Sequence, residues 1–163
     1  MIRTGLGYDI HALVENRSLV LGGIVIPHTL GLLGHSDADV LCHAISDALL
    51  GAAALGDIGE HFPDTDPAFK GADSLVLLGQ VGQIVREAGF AICNIDSTVV
   101  AQAPKLSPFK HEMARNIATT LNIEASQVSV KATTNEGFDA TGQKQAISAM
   151  AVVTLESQKE NIQ

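Results

Sequence analysis

The sequence predicts a single layered α+β domain, on three observations. Strand-like runs alternate along the chain with segments whose apolar residues recur at helical spacing. No repeat, low-complexity tract or Ser/Gly/Pro-rich linker divides its 163 residues. Hydrophobic residues make up 46% of that length, enough to build one core. We therefore expect one domain over residues 1–156, followed by a polar tail at 157–163. Helices should cover the outer face of a mixed β-sheet, and an apolar second face would need a partner subunit.

The elements follow in chain order. Ile2 to Tyr8 is a candidate first strand, and Ser18 to Pro27 reads as two β-rich runs around Gly22-Gly23, a hairpin signal. From Asp37 to Leu55, the residues Val40, Leu41, Ile45, Ala48 and Leu49 recur at helical spacing, with Ser36 as N-cap and Asp39 three residues on. Gly56 to Ala72 carries Gly, Pro and Asp at short intervals without a sustained period. It predicts a long loop, and loops of that length commonly carry function. Ser74 to Glu87 reads as a second helix, since Leu75, Leu78, Val81 and Val85 share a stripe and Gly89 supplies a stop. Ala91 to Ala101 alternates as a strand, with Cys93, Ile95, Val99 and Ala101 on one face and Asn94, Asp96 and Thr98 on the other. Ser107-Pro108 suits the cap and first turn of a third helix, continued by Phe109, Met113, Ile117 and Leu121. Strands at about Gln127–Ala132 and Ala146–Leu155 complete the chain.

Charge narrows the partners. With 18 Asp+Glu against 10 Lys+Arg, a net charge of -8 and no basic run, the chain is not expected to hold nucleic acid or anionic lipid. Its longest near-apolar stretch, Ala48 to Gly56, is far short of the roughly 20 residues of a membrane span. No basic-then-apolar leader opens the sequence. Cys42 and Cys93 are too few for a disulfide framework and too far apart for a metal knuckle. The expectation is a cytoplasmic protein whose partner is a small molecule.

Several residues could carry chemistry. Asp9 and His11 are two apart, and on an extended segment both project to one side, where their ligand atoms can converge on an ion. His43 is the third candidate, with Asp39 and Asp47 one turn away on either side. Two histidines and a carboxylate leave a tetrahedral Zn²⁺ one open position. Asp47 is placed to hold the other nitrogen of His43, as outer partners of ligating histidines do. The plainer alternative is a surface histidine paired with Asp47. Cys42 should turn into the core. His35-Ser36-Asp37 marks a helix start, read either as an anion site or merely as a cap. Acids in the 56–72 segment could accept bonds from hydroxyls or could simply be solvated. Ala101–Lys105 and Lys131–Glu136 lie just beyond strand ends, where ligand sites often form.

Taken in order, these segments resemble the 2-C-methyl-D-erythritol 2,4-cyclodiphosphate synthase family. The marks are G-x-D-x-H (Gly7 to His11), L-G-H-S-D-A-D-V-x-x-H-A (Leu33 to Ala44), D-A-L-L-G-A-A-A-L-G-D-I-G (Asp47 to Gly59), F-P-D-T-D (Phe62 to Asp66), A-Q-x-P-K (Ala101 to Lys105) and V-K-A-T-T-x-E (Val130 to Glu136). The resemblance implies a lyase of non-mevalonate isoprenoid biosynthesis. It would close a diphosphocytidyl-methylerythritol phosphate into a cyclic diphosphate and release CMP. It implies Zn²⁺ on Asp9, His11 and His43, and Mg²⁺ or Mn²⁺ on Glu136. His35 and Thr134 would stabilise the transition state, with Ser36 as a further phosphate contact. Asp57, Ile58, Gly59, Phe62, Pro63, Asp64, Thr65 and Asp66 would hold the methylerythritol part. Ala101, Gln102, Ala103, Pro104, Lys105, Leu106, Ser107 and Thr133 would hold cytidine. It also implies a homotrimer whose sheets pack together, with active sites between subunits.

One stretch departs from that pattern. Relatives commonly carry L-G-F-T-G-R-G-E-G after the T-T-x-E motif, whereas this chain has Gly137 to Gln145, with Gln143 at the usual Arg and Gln145 at the usual Glu. Ala140 and Gln143 are still counted with the substrate-binding positions. A Gln supplies neither the charge nor the fork of a guanidinium, which counts against an isoprenoid diphosphate on the threefold axis. Two other functions remain to be weighed: a Zn²⁺ phosphoesterase that activates water, and a non-catalytic trimer that binds prenyl diphosphates.

Overall fold

A computed structural model describes residues 1–63 and 65–158; Asp64 and the tail residues 159–163 lie outside the described residues. The strands are β1 (Ile2–Val14), β2 (Leu19–Leu21), β3 (Ile24–Ile26), β4 (Gly31–Leu32), β5 (Phe90–Val100), β6 (Val128–Thr133) and β7 (Ala146–Ser157). Five of them form a mixed sheet in the order β4-β1-β7-β5-β6. Within it β5 and β6 run parallel and the other pairs antiparallel. The parallel pair needs a long crossover, and α4 (Lys110–Leu121) lies in it. β2 and β3 form the expected hairpin, turning on Gly22 and Gly23 with φ of 57° and 71°.

The α+β class is as the sequence predicts. α1 (Val40–Ala53) lies over β1 and β7, α3 (Ser74–Glu87) packs on α1 and β5, and α4 packs on α3 and β6. Ile95, Val99, Ala149, Ala151, Val153 and Leu155 alternate inward to meet Ile45, Leu49, Leu78 and Val81 in one core. The opposite face of the sheet exposes Leu6, Tyr8, Ile10, Met150 and Val152. Leu6 lies opposite Val152, and Tyr8 opposite Met150, so these residues form one patch.

β1 is 13 residues long, not seven, because it pairs with β7 from Ile2 to Ala12 and carries Asp9 and His11 within the ladder. α1 starts later than expected. Ala38 has φ of 60°, which bars a helix from running back to Asp37. Asp39, not Ser36, is the cap, accepting from the backbone of Leu41 and Cys42. Ser36 Oγ instead accepts from Ala38 N in a local turn. The 56–72 segment is not all loop: it contains the one-turn helix α2 (Ile58–His61) and a 3₁₀ turn at Pro67–Phe69, both too short to show a period.

α3 has the expected bounds. α4 opens at Lys110 after a turn at Ser107–Phe109, so Ser107-Pro108 is not its cap; Phe109 precedes it without a side-chain bond. A register shift between Ile92 and Asn94 turns Ile92 inward and takes Cys93 off the buried face. α5 (Asp139–Gly142) and β4 are short elements that the pattern did not predict. Among the described residues, no helix is long and apolar enough to cross a membrane.

Candidate active site

Two glycines bring the metal-ligating candidates together. Gly5 and Gly7 share the inward face of β1 with Asp9 and His11, and a Cβ on them would collide with Ala48 O at 2.0 Å and Ala44 O at 1.9 Å. Their bare backbone lets α1 lie against the strand, and His43, next to Ala44, thereby reaches the strand's ligands. The ligand atoms of Asp9, His11 and His43 all lie within 4.8 Å of one another. Asp9 Oδ2 is 2.9 Å from His11 Nε2 and 2.9 Å from His43 Nδ1, and the two nitrogens are 3.3 Å apart.

The surroundings dictate which atoms face inward. His11 Nδ1 is 2.6 Å from Leu33 O, a carbonyl that can only accept, so that nitrogen carries the hydrogen and Nε2 presents its lone pair. The outer nitrogen of His43 faces Ser74 Oγ at 3.0 Å and Ser36 Oγ at 3.3 Å. Asp47 is not its partner: that carboxylate accepts from Ile58 N at 2.8 Å, tying α1 to α2. Asp39 is likewise absent from His43's ring, being buried as the helix cap and bonded also to Gly23 N and Cys42 Sγ. When both rings are protonated, hydrogen bonds and charge attraction from His11 and His43 outweigh the burial that raises Asp9 and hold it well below the usual carboxylate range. Two neutral imidazole nitrogens and a carboxylate converging on one point is a donor set that a divalent cation fits.

The cluster forms one wall of a cavity of about 270 Å³. His35, Ser36, Ile58, Gly59 and Phe62 also line it. Among the described residues His35 Nε2 is buried there without a hydrogen-bond partner, and a buried polar atom of that kind is one a polar ligand can satisfy. Asp57 caps α2 through Glu60 N, and Pro63, Thr65 and Asp66 are not among the lining residues. Gly34, which the sequence showed only as part of the Leu33 to Ala44 motif, also lines the cavity, as do Phe69 and Leu77, which showed no signal; Phe69 stacks edge-on with Phe62 at 5.4 Å.

A second cavity, about 410 Å³, takes in Ala101 through Ser107 with Thr133 and Thr134, and adds Ala132 and Lys110. Thr134 Oγ1 donates to Glu136 Oε1 at 3.1 Å, and Gly137 N donates to Gln102 Oε1 at 3.4 Å, linking the two loops that form it. Glu136 is exposed beside this cavity, and Ala140 and Gln143 lie exposed in and after α5. The two cavities stand at the same end of the sheet. Ile10, between the two β1 ligands, pairs with Ser148, which pairs with Val100, which pairs with Thr133. That rung crosses three strand gaps, so the half-sites are roughly 14 Å apart within one chain. His35 and Thr134 therefore fall in different cavities.

Fold and site together define a class: a mixed-sheet α+β protein with a two-histidine, one-carboxylate site for a divalent ion in the wall of a cavity lined by both polar and apolar side chains. The model of the YgbB family matches residues 2–156, and the chain belongs to that family. It is 61% identical over 155 residues to the 2-C-methyl-D-erythritol 2,4-cyclodiphosphate synthase of Syntrophomonas wolfei, covering 95% of this chain and 99% of that protein. Among solved structures it resembles the bifunctional IspDF of Campylobacter jejuni, with a TM-score of 0.93 and 50% identity over 96% of this chain and 42% of that one. It also resembles a Plasmodium falciparum IspF solved as a CDP complex, with a TM-score of 0.84 and 37% identity over 97% of both chains.

Proposed function

We propose that residues 1–156 form a single 2-C-methyl-D-erythritol 2,4-cyclodiphosphate synthase domain. It converts 4-diphosphocytidyl-2-C-methyl-D-erythritol 2-phosphate into the cyclic diphosphate and CMP, a step of non-mevalonate isoprenoid biosynthesis. An oxygen of the substrate's 2-phosphate bonds to the β-phosphorus, and the bond from that phosphorus to CMP breaks, its electron pair leaving with CMP. The nucleophile belongs to the substrate, so the protein's task is to fold the chain of phosphates and neutralise charge. The observation that carries this reading is the convergence of Asp9, His11 and His43 beside the unpartnered Nε2 of His35, in a chain so similar to synthases of that name.

A divalent ion, Zn²⁺ on Asp9, His11 and His43 and Mg²⁺ or Mn²⁺ on Glu136, would supply Lewis acidity toward phosphate oxygens. His35, Ser36 and Thr134 donate hydrogen bonds to those oxygens as charge shifts. Ile58, Gly59 and Phe62 wall the methylerythritol part, and the segment from Asp57 through Pro63, Asp64, Thr65 and Asp66 supplies acceptors for its hydroxyls. The second cavity takes cytidine, with Ala101–Ser107 reading the base through backbone groups. Ala140 and Gln143 bind at the periphery.

The first cavity, about 270 Å³, falls below the roughly 300–1,000 Å³ of drug-sized ligand sites, and the second, about 410 Å³, lies near the lower end of that range, so neither is large for the whole substrate. A homotrimer that sets the metal half of one subunit against the cytidine half of its neighbour completes the site, and the exposed apolar patch of the sheet supplies the contact. A cytoplasmic enzyme acting on a small molecule agrees with the acidic surface.

The test is to incubate the protein with that substrate, Zn²⁺ and Mg²⁺ and follow products by ³¹P NMR. CMP and cyclic diphosphate in equal amounts, abolished by chelation, are expected. CMP with a linear product would make water the nucleophile and the protein a phosphoesterase. No turnover by a folded, metal-loaded trimer would make it a binding protein.

A further inference from the structure

We propose that Ser74 and Asp37 are positioning residues for the metal, locking His43 in the tautomer whose Nδ1 faces Asp9 and His11. The proposal rests on the metal-site reading above. Ser74 Oγ has one hydrogen, and it donates that hydrogen to Asp37 Oδ1. A carboxylate can only accept, so the direction of that bond is fixed. Toward His43 Nε2, at 3.0 Å, the same oxygen is left only to accept, so Nε2 carries the imidazole hydrogen. In the neutral ring the lone pair then sits on Nδ1, the atom 2.9 Å from Asp9 Oδ2.

Asp37 is itself held. Its Oδ2 accepts from Ser74 N at 3.1 Å and its Oδ1 from Asp39 N at 3.2 Å, while its own N–H donates to Ala72 O at 3.1 Å. Ser74 is 1% exposed, so bulk water does not compete for its oxygen. Ser36 Oγ stands 3.3 Å from the same histidine nitrogen, but it also takes the N–H of Ala38, and among the described residues its other partner is Ser74 Oγ at 3.5 Å, not a carboxylate. The two ligating histidines thus differ. His11 is oriented by the main-chain carbonyl of Leu33, which no substitution removes, and His43 by a side-chain relay that a single atom deletion breaks.

The experiment is competition of Zn²⁺ between a chromophoric chelator and the full chain in four forms: unaltered, Ser74→Ala, Ser74→Thr and Asp37→Asn. The visible spectrum of the Co²⁺-loaded proteins and urea unfolding of the metal-free proteins are recorded beside it. Loss of an outer partner typically weakens metal binding about 10- to 100-fold, and the nearby Ser36 places Ser74→Ala at the lower end. Ser74→Thr, which keeps the hydroxyl, should recover most of the affinity. Asp37→Asn should weaken binding too, because its amide must turn an N–H toward one of the donors that the carboxylate accepts. The Co²⁺ spectrum of Ser74→Ala should change. Equal Zn²⁺ affinity and an unchanged Co²⁺ spectrum in Ser74→Ala would overturn the proposal. So would affinity losses that follow the unfolding midpoints and are not recovered by threonine. An unaltered chain that takes up no Zn²⁺ would instead sink the metal-site reading beneath it.

Discussion

Replacing Gly7 by alanine should pull the metal site apart without touching any ligand. Asp9 and His11 stand on β1 and His43 on α1, and the two elements meet where Gly5 and Gly7 lack side chains. A Cβ on Gly7 would lie 1.9 Å from Ala44 O and 2.7 Å from Ala48 N. Relief requires α1 to retreat by about 1.5 Å at Ala44 to regain ordinary contact, and His43 is the preceding residue. Metal sites tolerate ligand displacements of only about 0.2 Å, and losing even an outer partner that orients a ligand costs about 10- to 100-fold in metal affinity. Zn²⁺ affinity should therefore fall by about 100-fold, while overpacking lowers stability by about 1–3 kcal/mol. Competitive Zn²⁺ titration and urea unfolding read the two effects separately. Gly5→Ala meets Ala48 O at 2.0 Å, more than a turn from His43, and should cost similar stability but less affinity. Gly51→Ala is the control on the same helix: beyond the helix's own backbone, nothing among the described residues lies within 4 Å of its Cβ, and it should gain about 0.5–1 kcal/mol. A folded Gly7→Ala protein that binds Zn²⁺ like the unaltered chain would refute the idea that this contact sets the ligand geometry.

His43→Ala leaves two ligands and should abolish stoichiometric Zn²⁺ uptake together with nearly all CMP release; a variant that keeps either property removes His43 from the ligand set. Glu136→Gln should raise the Mg²⁺ or Mn²⁺ concentration needed for half-maximal activity while Zn²⁺ stays bound, and an unchanged metal requirement counts against its role. The exposed Lys131–Asp96 pair, 2.6 Å apart, predicts a modest pH effect. The Lys131 ammonium holds Asp96 below its ordinary range, so its contribution is present above the unfolded value near 3.9 and is lost as pH falls through the lower folded one. Lys131→Met should cost within about 1 kcal/mol at pH 6 and nothing at strongly acid pH, read from urea midpoints. A cost independent of pH would mean that packing of the lysine stem, not its charge, is what was lost.

What the sequence made legible was what has a period or a motif. The apolar stripes of α1 and α3 and the alternation of β5 and β7 were long enough to be read. The end of β1 was not, because Asp9 and His11 fill inward positions that alternation reserves for apolar residues; the site itself interrupts the pattern. The start of α1 was misplaced for a related reason. Ser36 and Asp39 are both good caps by type, and only the left-handed Ala38 decides between them. Asp9, His11 and His43 could be named from spacing and resemblance because ligands must be of particular residue types. Ser74 could not. A serine at the first position of a helix is ordinary, and its closeness to His43 depends on a contact across 31 residues.

How the parts are mounted follows from what the reaction asks. If the nucleophile is the substrate's own phosphate, the protein must supply position more than reactivity. The three ligands that have to hold their places to tenths of an ångström stand on the longest strand and a 14-residue helix, pressed together where glycines leave no slack. The residues proposed to hold the polyol, Ile58, Gly59 and Phe62, stand with Phe69 along the cavity on the irregular segment between Gly56 and Ala72. That segment is anchored to the rigid part at both ends. Asp47 of α1 takes Ile58 N at its start, and Asp37 takes Ser74 immediately after its end, while His35 O accepts from Gly71 N. Asp47 is thus engaged in tethering the segment and is not free to stand behind His43, and the second tether, Ser74, does so in its place. The residue whose hydroxyl faces His43 Nε2 is thus also the one whose N–H ties the end of the segment to Asp37, so a displacement of that end is felt at His43 without passing through any ligand on β1.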